Sequence, residues 1–276
     1  MVDYETYIGN EFRQNDVITP ALVDRYRAVI GNEGHAADLP FGLHWCLCLP
    51  KAPMADLGID GHPKTGGFLP KSKLPRRMWA SSEVHFLKPL ITNRTIERVS
   101  TIQSVKAKSG RSGELLFVNV EHATKIDGQD SIREAQTIVY REASTAKSEF
   151  PNASDHDLSD WEYTESITPN ETLLFRFSAL TFNTHRIHYD LPFATGDEGY
   201  PALVVHGPLM ASLLLRFATQ ILKNKSIRSF KFRGLSPAYC NEVLSLAANQ
   251  NENGLELAII GSDGRSVMSA EVLSGQ

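Results

Sequence analysis

The residues best suited to chemistry lie between positions 181 and 209. Asn183, His185 and His188 form a short polar cluster, and His206-Gly207-Pro208 opens a long apolar segment. An imidazole can exchange a proton near neutral pH, and the unpaired N–H groups that begin a helix can hold a developing negative charge. Together they are the minimum equipment for proton transfer beside a carbonyl group.

The spacing within the cluster requires a bend in the chain. Asn183 and His188 are five positions apart, which places them on opposite faces of a strand and about 140° apart on a helix. His185 would share the face of Asn183 on a strand, so the position of the bend decides which histidine faces the site. Two histidines beside an amide and close to a helix start favour a functional cluster over hydrogen-bonded residues at a strand end.

The apolar segment after the cluster predicts a helix. Gly207-Pro208 opens it, and a wide apolar stripe follows at Leu209, Met210, Leu213, Leu214, Phe217, Ile221 and Leu222. A helix so apolar must be enclosed by a sheet. Because proline has no N–H group, Gly207 and Leu209 are the predicted oxyanion donors.

Composition excludes several classes of partner. The 276 residues are 42% apolar, and 28 basic and 32 acidic residues leave a net charge of -4, which predicts no nucleic-acid or membrane partner. Three cysteines without a paired motif predict neither a disulfide framework nor a metal site. The chain starts without a basic and apolar leader and has no run of eighteen apolar residues, so we expect a cytoplasmic protein.

The first half of the chain contains one short helix signal, a loop and four strands. Thr19-Pro20 begins a predicted helix that Gly31 ends, and Pro50 and Pro53 limit the next helix to about residues 43–49. Residues 58–75 are rich in glycine, proline and lysine, and so long a loop is often functional. Strand patterns run from about 78 to 141, with segments at 84–87, 94–102, 114–122 and 132–140.

A repeated spacing predicts that the chain contains one unit twice. Pro89, Asn93 and Ile96 recur with the same spacing as Pro237, Asn241 and Leu244, and Asp127-Gly128 recurs as Asp263-Gly264. Residues 146–160 have few large apolar side chains and are the predicted linker. We therefore expect an α+β fold of two units, 1–145 and 161–276, each an antiparallel sheet wrapped around a long helix.

Several motifs resemble one known family. Residues 181–190 (TFNTHRIHYD), 199–201 (GYP) and 205–209 (VHGPL) resemble the MaoC-like, or hydratase-2, double-hotdog family. They look most like its subgroup of itaconyl-CoA and mesaconyl-C4-CoA hydratases and hydroxyacyl-thioester dehydratases type 2. In the first half, PFGLHWCLCLP, GHPKTGGFLP and LPRRMWA look like the N-terminal domain of that subgroup.

The resemblance implies a function and a division of labour. It implies a lyase that reversibly hydrates an α,β-enoyl-CoA to a 3-hydroxyacyl-CoA without a cofactor, CoA being part of the substrate. One active site per chain is expected, because the first half has no copy of the NTHRIH cluster. The N-terminal hotdog repeat would then be non-catalytic and supply walls of the substrate pocket.

The expected catalytic residues are Asn183 and His188. In the broader family an aspartate and a histidine five positions later act on one water; His188 matches that histidine, but Asn183 stands at the aspartate's position. An amide cannot exchange protons in this pH range. Either His188 carries the proton alone with Asn183 as its positioning partner, or His185 takes a share. Arg186 replaces the proline of the broader motif and has no assigned role.

The expected binding residues are of two kinds. His206, Gly207 and Leu209 form the expected oxyanion and substrate-binding site at the helix start. Arg233, Arg76 and Arg77 are candidate contacts for CoA phosphates or for a distal carboxylate of the acyl group.

The favoured substrate is a short C5 dicarboxylic acyl-CoA, itaconyl-CoA or mesaconyl-C4-CoA. A 3-hydroxyacyl-thioester dehydratase of fatty-acid synthesis is the nearest alternative, and a thioesterase is another hotdog activity. The missing aspartate also leaves open a non-catalytic acyl-CoA-binding protein. The sequence does not determine the state of association, and a homo-oligomer is one outcome that such sheet surfaces allow.

Overall fold

One antiparallel sheet organises the molecule. A computed structural model describes residues 3–31, 39–110, 113–143, 147–223 and 225–275. The sheet contains ten strands in this part of the chain: β1 Glu11–Val17, β2 Arg76–Phe86, β3 Thr95–Gly110, β4 Gly113–Ile126, β5 Gln129–Arg141, β6 Tyr163–Ile167, β7 Ile227–Gly234, β8 Leu244–Asn251, β9 Gly254–Ile260 and β10 Ser266–Ser274.

Three α-helices lie beside the sheet within the described ranges, with several short turns. The helices are α1 Pro20–Ile30, α2 Glu171–Leu180 and α3 Gly207–Leu222. Single helical turns occur at Glu5–Tyr7, Leu43–Cys46, Met54–Asp56, Arg186–His188 and Phe193–Asp197. None of the helices in the described residues is both long and apolar enough to cross a membrane.

The order of the strands confirms the predicted duplication. It reads β1-β3-β4-β5-β2 and then β7-β10-β9-β8-β6, so the second half repeats the connectivity of the first in reverse order across the sheet. The halves meet where β2 pairs with β7, antiparallel, with Val84 opposite Phe230. Each unit is therefore half of one continuous sheet.

The repeated asparagines mark equivalent backbone positions. Asn93 and Asn241 both have a left-handed backbone, with φ of 61° and 66°, a conformation that asparagine tolerates better than most residues. Their N–H groups make equivalent hydrogen bonds of 2.7 Å to the carbonyls of Ile18 and Pro169, each just after the first strand of its unit. The spacing seen in the sequence thus reflects a shared turn.

Local signals predicted two of the three helices. The Thr19 side chain accepts a hydrogen bond from the N–H of Leu22, and Gly31, at φ 111°, ends α1. Helix α3 begins at Gly207 as predicted, and its stripe is buried in a core with residues of both units. Sequence analysis did not predict α2, which is capped by Asn170 through the N–H of Leu173.

The first unit differs from the expected plan. Among the described residues, a long helix within the sheet belongs to the second unit, and residues 39–75 contain just the turns Leu43–Cys46 and Met54–Asp56. Pro50 and Pro53 follow the first turn, and an interior proline removes a helical hydrogen bond and clashes with the preceding turn. The observed turn lies within the predicted limit of 43–49.

The boundary between the units runs through irregular chain. Strand β5 ends at Arg141 and β6 begins at Tyr163, and residues 147–162 contain no helix or strand. The predicted limits at 145 and 160 stay predictions, since residues 144–146 lie outside the described part of the chain. The predicted strands are all present, and β3 and β4 extend well beyond the segments proposed for them.

Candidate active site

The end of α2 brings the motif into position. Phe182 has a left-handed φ of 48°, and the N–H of Asn183 then donates to the carbonyl of Ser178. The chain turns again through Arg186–His188. This is the bend that the spacing of Asn183 and His188 required.

The side chain of His188 is held as a neutral base. Its Nδ1 lies 2.7 Å from the carbonyl oxygen of Val204, and because a carbonyl can only accept, Nδ1 carries the proton and Nε2 has the free lone pair. Burial lowers the pKa of His188 to about 4, against the opposing effect of the Val204 hydrogen bond and with a further lowering by His62. The group is therefore uncharged near neutral pH.

His188 lies against the opening of α3. Its ring stacks on that of His206 with 3.6 Å between centroids, and His206 is the residue that precedes the helix. His206 is fully buried and its Nε2 lies 2.8 Å from the Ser178 hydroxyl. The structure thus brings together the histidine and the helix start that sequence analysis singled out separately.

The helix start offers the predicted N–H donors. The first helical hydrogen bond is made by the N–H of Met210 to the carbonyl of His206. The N–H groups of Gly207 and Leu209 precede it, and such groups have no acceptor within their own helix. An oxyanion placed there would also meet the positive end of the α3 dipole.

Asn183 has a positioning contact. Its side-chain oxygen accepts a hydrogen bond of 2.9 Å from the backbone N–H of His185, which fixes the turn before His188. The His185 ring lies 5.4 Å from that of His188 and nearly perpendicular to it. Both histidines of the motif therefore face the same site, and Asn183 sets the backbone that carries them.

A loop of the first unit completes the cluster. The His62 ring lies 4.0 Å from that of His185, and its Nδ1 is 2.9 Å from the Asp60 carboxylate. The composition of residues 58–75 indicated a long loop of a kind that is often functional, but it predicted a role for neither Asp60 nor His62. The available signal was a histidine between glycines, at Gly61-His62-Pro63 and Gly66.

Specific contacts hold this loop against the second unit. The N–H of Arg186 donates to the carbonyl of Asp60 at 2.9 Å, and the hydroxyl of Thr184 donates to the carbonyl of Gly61 at 2.6 Å. Gly61 has a φ of 86°, and a Cβ atom there would lie 1.9 Å from the carbonyl oxygen of Thr184. Only glycine allows so close an approach.

The four histidines are electrostatically coupled. Burial lowers the pKa of His185, and the neighbouring His62 and His188 lower it further. Burial also lowers the pKa of His62, although its hydrogen bond to Asp60 opposes the shift. For Asp60, burial acts upward, but the hydrogen bonds and charge of His62 outweigh it and the pKa is lowered. Asp60 is thus a carboxylate beside the histidines.

The three candidate arginines occupy different environments. Arg77 lies opposite Tyr140 in the β2–β5 ladder, near enough to the cluster that its charge contributes to lowering the pKa of His62 after burial and Asp60 have acted. The buried Arg76 pairs with Glu198 at 2.7 Å. Arg233 is exposed.

The neighbour of Arg233 shows which face it occupies. Phe232 is buried against Trp45 and Trp79 inside the sheet, and successive side chains on a strand point to opposite faces. The side chain of Arg233 therefore points away from the helix, beside Ser81 and Ser269 on the neighbouring strands. Of the three arginines, Arg77 is the one whose charge is seen to act on His62 and His185.

The loop cluster also has metal-ligand spacing. Asp60, His62 and His185 offer ligand atoms within 4.8 Å of one another, the only such group in the described residues. However, Asp60 and His62 already satisfy each other through their hydrogen bond. The arrangement therefore supports acid–base chemistry, with Asp60 orienting the imidazole.

The histidines of the site differ in exposure. His188 is 7% exposed and His206 fully buried, whereas the side chain of His62 is 21% exposed. A separate cavity of about 980 Å³ lies toward the other end of α3, between Phe41, Phe86 and Leu215. His62 is therefore more accessible to solvent than His188 and His206.

Two relatives show the class of reaction to which the chain is related. The chain is 41% identical to mesaconyl-C(4)-CoA hydratase of Chloroflexus aurantiacus, over 99% of this chain and 98% of that one. It is 26% identical to the mitochondrial hydroxyacyl-thioester dehydratase type 2 of Schizosaccharomyces pombe, over 86% of this chain and 90% of that one. These relatives confirm the predicted hydratase and dehydratase class of lyase.

Solved structures confirm the fold. A MaoC-like dehydratase from Phytophthora capsici superposes with a TM-score of 0.71 at 13% identity, over 97% of this chain and 96% of that one. A Mycobacterium tuberculosis protein described as having a double hotdog fold superposes with a TM-score of 0.60 at 13% identity, with the same coverage. The model of the family Htd2, hydroxyacyl-thioester dehydratase type 2, matches residues 42–240, and the chain belongs to that family.

Proposed function

We propose that this protein adds water reversibly across the α,β double bond of an enoyl-CoA thioester, with a short C5 dicarboxylic acyl group such as mesaconyl-C4 as its preferred substrate. The observation that carries the proposal is the contact between the His188 ring and the His206 ring at the opening of α3. This contact supports a role for His188 as a neutral base acting beside the N–H groups of Gly207 and Leu209, which would hold an enolate oxygen.

The reaction needs a base and an oxyanion site on one substrate. In hydration, Nε2 of His188 takes a proton from water while the water oxygen bonds to Cβ. The electron pair of the double bond moves toward the thioester carbonyl, and the N–H groups of Gly207 and Leu209 hold the resulting negative charge. One such donor typically contributes about 10²–10³-fold, and a positioned base contributes on the order of 10²–10⁴-fold. Protonation of Cα completes the addition.

The positive charge of Arg77 favours an anionic substrate. Arg77 is near the histidine cluster, and a guanidinium can bind a carboxylate or a phosphate by paired hydrogen bonds. The 41% identical relative is a hydratase of mesaconyl-C4-CoA, a substrate with a terminal carboxylate. We therefore assign Arg77 to the distal carboxylate or to a CoA phosphate. No cofactor is required, because CoA is carried by the substrate.

The second candidate function is the 3-hydroxyacyl-thioester dehydratase of fatty-acid synthesis. The family model and the relative from fission yeast support it. Both candidates use the same chemistry at Cα and Cβ and differ in the acyl tail. They can therefore be separated by substrate preference.

A set of enoyl-CoA esters with and without a terminal carboxylate tests the proposal. Loss of the conjugated thioester absorbance measures kcat/KM for each, and a thiol reagent measures any release of free CoA. We expect hydration without thiol release and the highest kcat/KM on a C5 dicarboxylic ester. Preference for straight-chain monocarboxylic esters would favour the dehydratase candidate, thiol release would favour a thioesterase, and binding without turnover would favour a non-catalytic protein.

A further inference from the structure

Hydration requires two proton transfers, and His188 is the one clear acid–base group of the second unit for them. A proton leaves water as its oxygen bonds to Cβ, and another must reach Cα. His188 has one free ring nitrogen. Asn183 cannot exchange protons, and its oxygen is used by the backbone of His185. Burial and the neighbouring His62 and His188 lower the pKa of His185, which disfavours its protonated form, so the first unit is the other source of an acid–base group.

The loop of the first unit carries a group suited to this task. His62 is the ring in contact with His185, and its Nδ1 is hydrogen-bonded to the Asp60 carboxylate, which leaves Nε2 as the reactive nitrogen. The same carboxylate group accepts the backbone N–H of His62 through its other oxygen at 3.0 Å. Two hydrogen bonds to one carboxylate fix the orientation of this side chain.

The docking of the loop is specific, which a passive wall would not require. Arg186 makes two hydrogen bonds to it: its N–H to the carbonyl of Asp60 and its guanidinium to the carbonyl of Ile59, at 2.9 and 3.0 Å. Thr184 donates to Gly61. The residues that bind the loop thus alternate in the chain with Asn183 and His185 of the motif.

We propose that His62, oriented by Asp60, is a second proton-transfer residue of this active site, supplied by the first unit, which the sequence predicted to form only walls of the pocket. The inference rests on the proposed hydratase function. Burial disfavours protonated His62, but its hydrogen bond to Asp60 and the Asp60 charge favour it. In hydration, this protonated form gives its proton to Cα as the enolate returns to a thioester, while His188 holds the proton taken from water. The proton then passes from His188 to His62 through solvent or His185, which restores both residues. Dehydration follows the same steps in reverse.

Substitution of the pair tests this role on the full-length enzyme. His62→Gln should lower kcat by about 10²–10⁴-fold and leave KM within about threefold, because the amide fills the space without carrying the proton. Exchange of the Cα hydrogen of the 3-hydroxyacyl-CoA with deuterated water should fall in parallel. His85→Gln, on an exposed side chain of β2 that is half accessible, is the matched control and should keep wild-type kcat.

A pH profile separates proton transfer from a structural role. The charged and titratable groups near His62 are Asp60 on its own loop, Arg77 on β2, and His185 and His188 of the second unit. Asp60→Asn retains the acceptor for the backbone N–H and removes the negative charge that favours protonated His62. The alkaline limb of hydration, where His62 loses its proton, should therefore move to lower pH.

The outcomes distinguish the inference from the proposed function. If wild type hydrates an enoyl-CoA and His62→Gln keeps its kcat, the inference is overturned and the proposed function stands. An alkaline limb that Asp60→Asn leaves in place overturns it equally. If wild type turns over none of the esters, the proposed function itself has failed. Thermal unfolding of each variant, compared with wild type, confirms that the folded enzyme was measured.

Discussion

The two units share a sheet topology but differ in what the sheet encloses. The second wraps the sixteen-residue helix α3 and carries His185, His188 and His206. In the first unit, the described residues between α1 and β2 contain no such helix and form the single turns Leu43–Cys46 and Met54–Asp56. The core is nevertheless continuous, because α3 packs with buried residues of both units. Helix α3 therefore packs against both units. The first unit instead contributes the loop with Asp60 and His62 to the candidate active site.

Buried histidines show the same contrast at the level of single side chains. His122 in the first unit and His188 in the second both have a pKa lowered to about 4, chiefly by burial. Both ring nitrogens of His122 have side-chain partners, Ser100 at 2.7 Å and Gln136 at 3.2 Å. His188 is hydrogen-bonded through Nδ1 to a carbonyl. A lowered pKa therefore does not distinguish the two, but the free nitrogen does.

Replacing each of these histidines gives the largest expected contrast. His188→Ala should lower kcat/KM by about 10³-fold or more, since it removes the base. His122→Ala should keep kcat/KM within about threefold and reduce the free energy of unfolding by about 1–3 kcal/mol, because its polar neighbours lose a buried partner. Steady-state kinetics and urea unfolding measure the two effects. Full turnover by the His188 variant would remove the proposed mechanism.

The contact between the units can be broken without touching a histidine. Gly61→Ala places a methyl group where the Thr184 carbonyl lies, so the loop must move away from the motif. We expect kcat to fall by about 10²-fold, the low end of a lost acid–base group, with the sheet intact by circular dichroism. Gly67→Ala in the same loop meets nothing within 4 Å and should retain activity. Equal kinetics for both variants would show that docking of the loop is not needed.

Substitution of each of the three arginines should have a different effect on KM and on the free energy of unfolding. Arg77→Gln should raise KM about tenfold, the loss expected for a charge-assisted hydrogen bond to an anionic substrate. Arg76→Gln leaves Glu198 without its buried partner and should lower the free energy of unfolding by about 3 kcal/mol. Arg233→Gln, on the outer face, should change neither quantity. A raised KM in the Arg233 variant, with none in the Arg77 variant, would place the anion on the other face.

The smallest expected effect is the change in the free energy of unfolding with pH. His122 and His188 have a folded pKa of about 4, below the ordinary value of 6.5, so the unfolded chain binds protons that the folded chain does not. Their contribution is complete above about pH 6.5 and is lost as the pH falls toward 4. Urea unfolding across this window should show declining stability. The slope of the free energy of unfolding against pH reflects how many more protons the unfolded chain binds. His122→Gln and His188→Gln should each reduce that difference by up to about one proton.

Local patterns predicted much of the fold and part of the site. Caps and glycine stops predicted α1, and the apolar stripe after Gly207-Pro208 predicted α3, because these features depend on neighbouring residues. The repeated asparagines predicted the duplication, because each occupies a left-handed turn. Helix α2 was not predicted, and the long helix expected within the sheet of the first unit is not found in the residues that the structure describes.

The sequence by itself determined the motif around His188 and the helix start at Gly207, since both lie within one stretch of chain. Only the tertiary structure decided that Asp60 and His62 join them, because the contact between Gly61 and Thr184 spans 123 positions. The tertiary structure also decided that Arg76 pairs with Glu198, that Arg77 lies near His62 and that Arg233 is exposed. The residue type and its spacing in the sequence indicate which chemistry a side chain can perform. The non-local packing of the sheet determines which groups that side chain contacts.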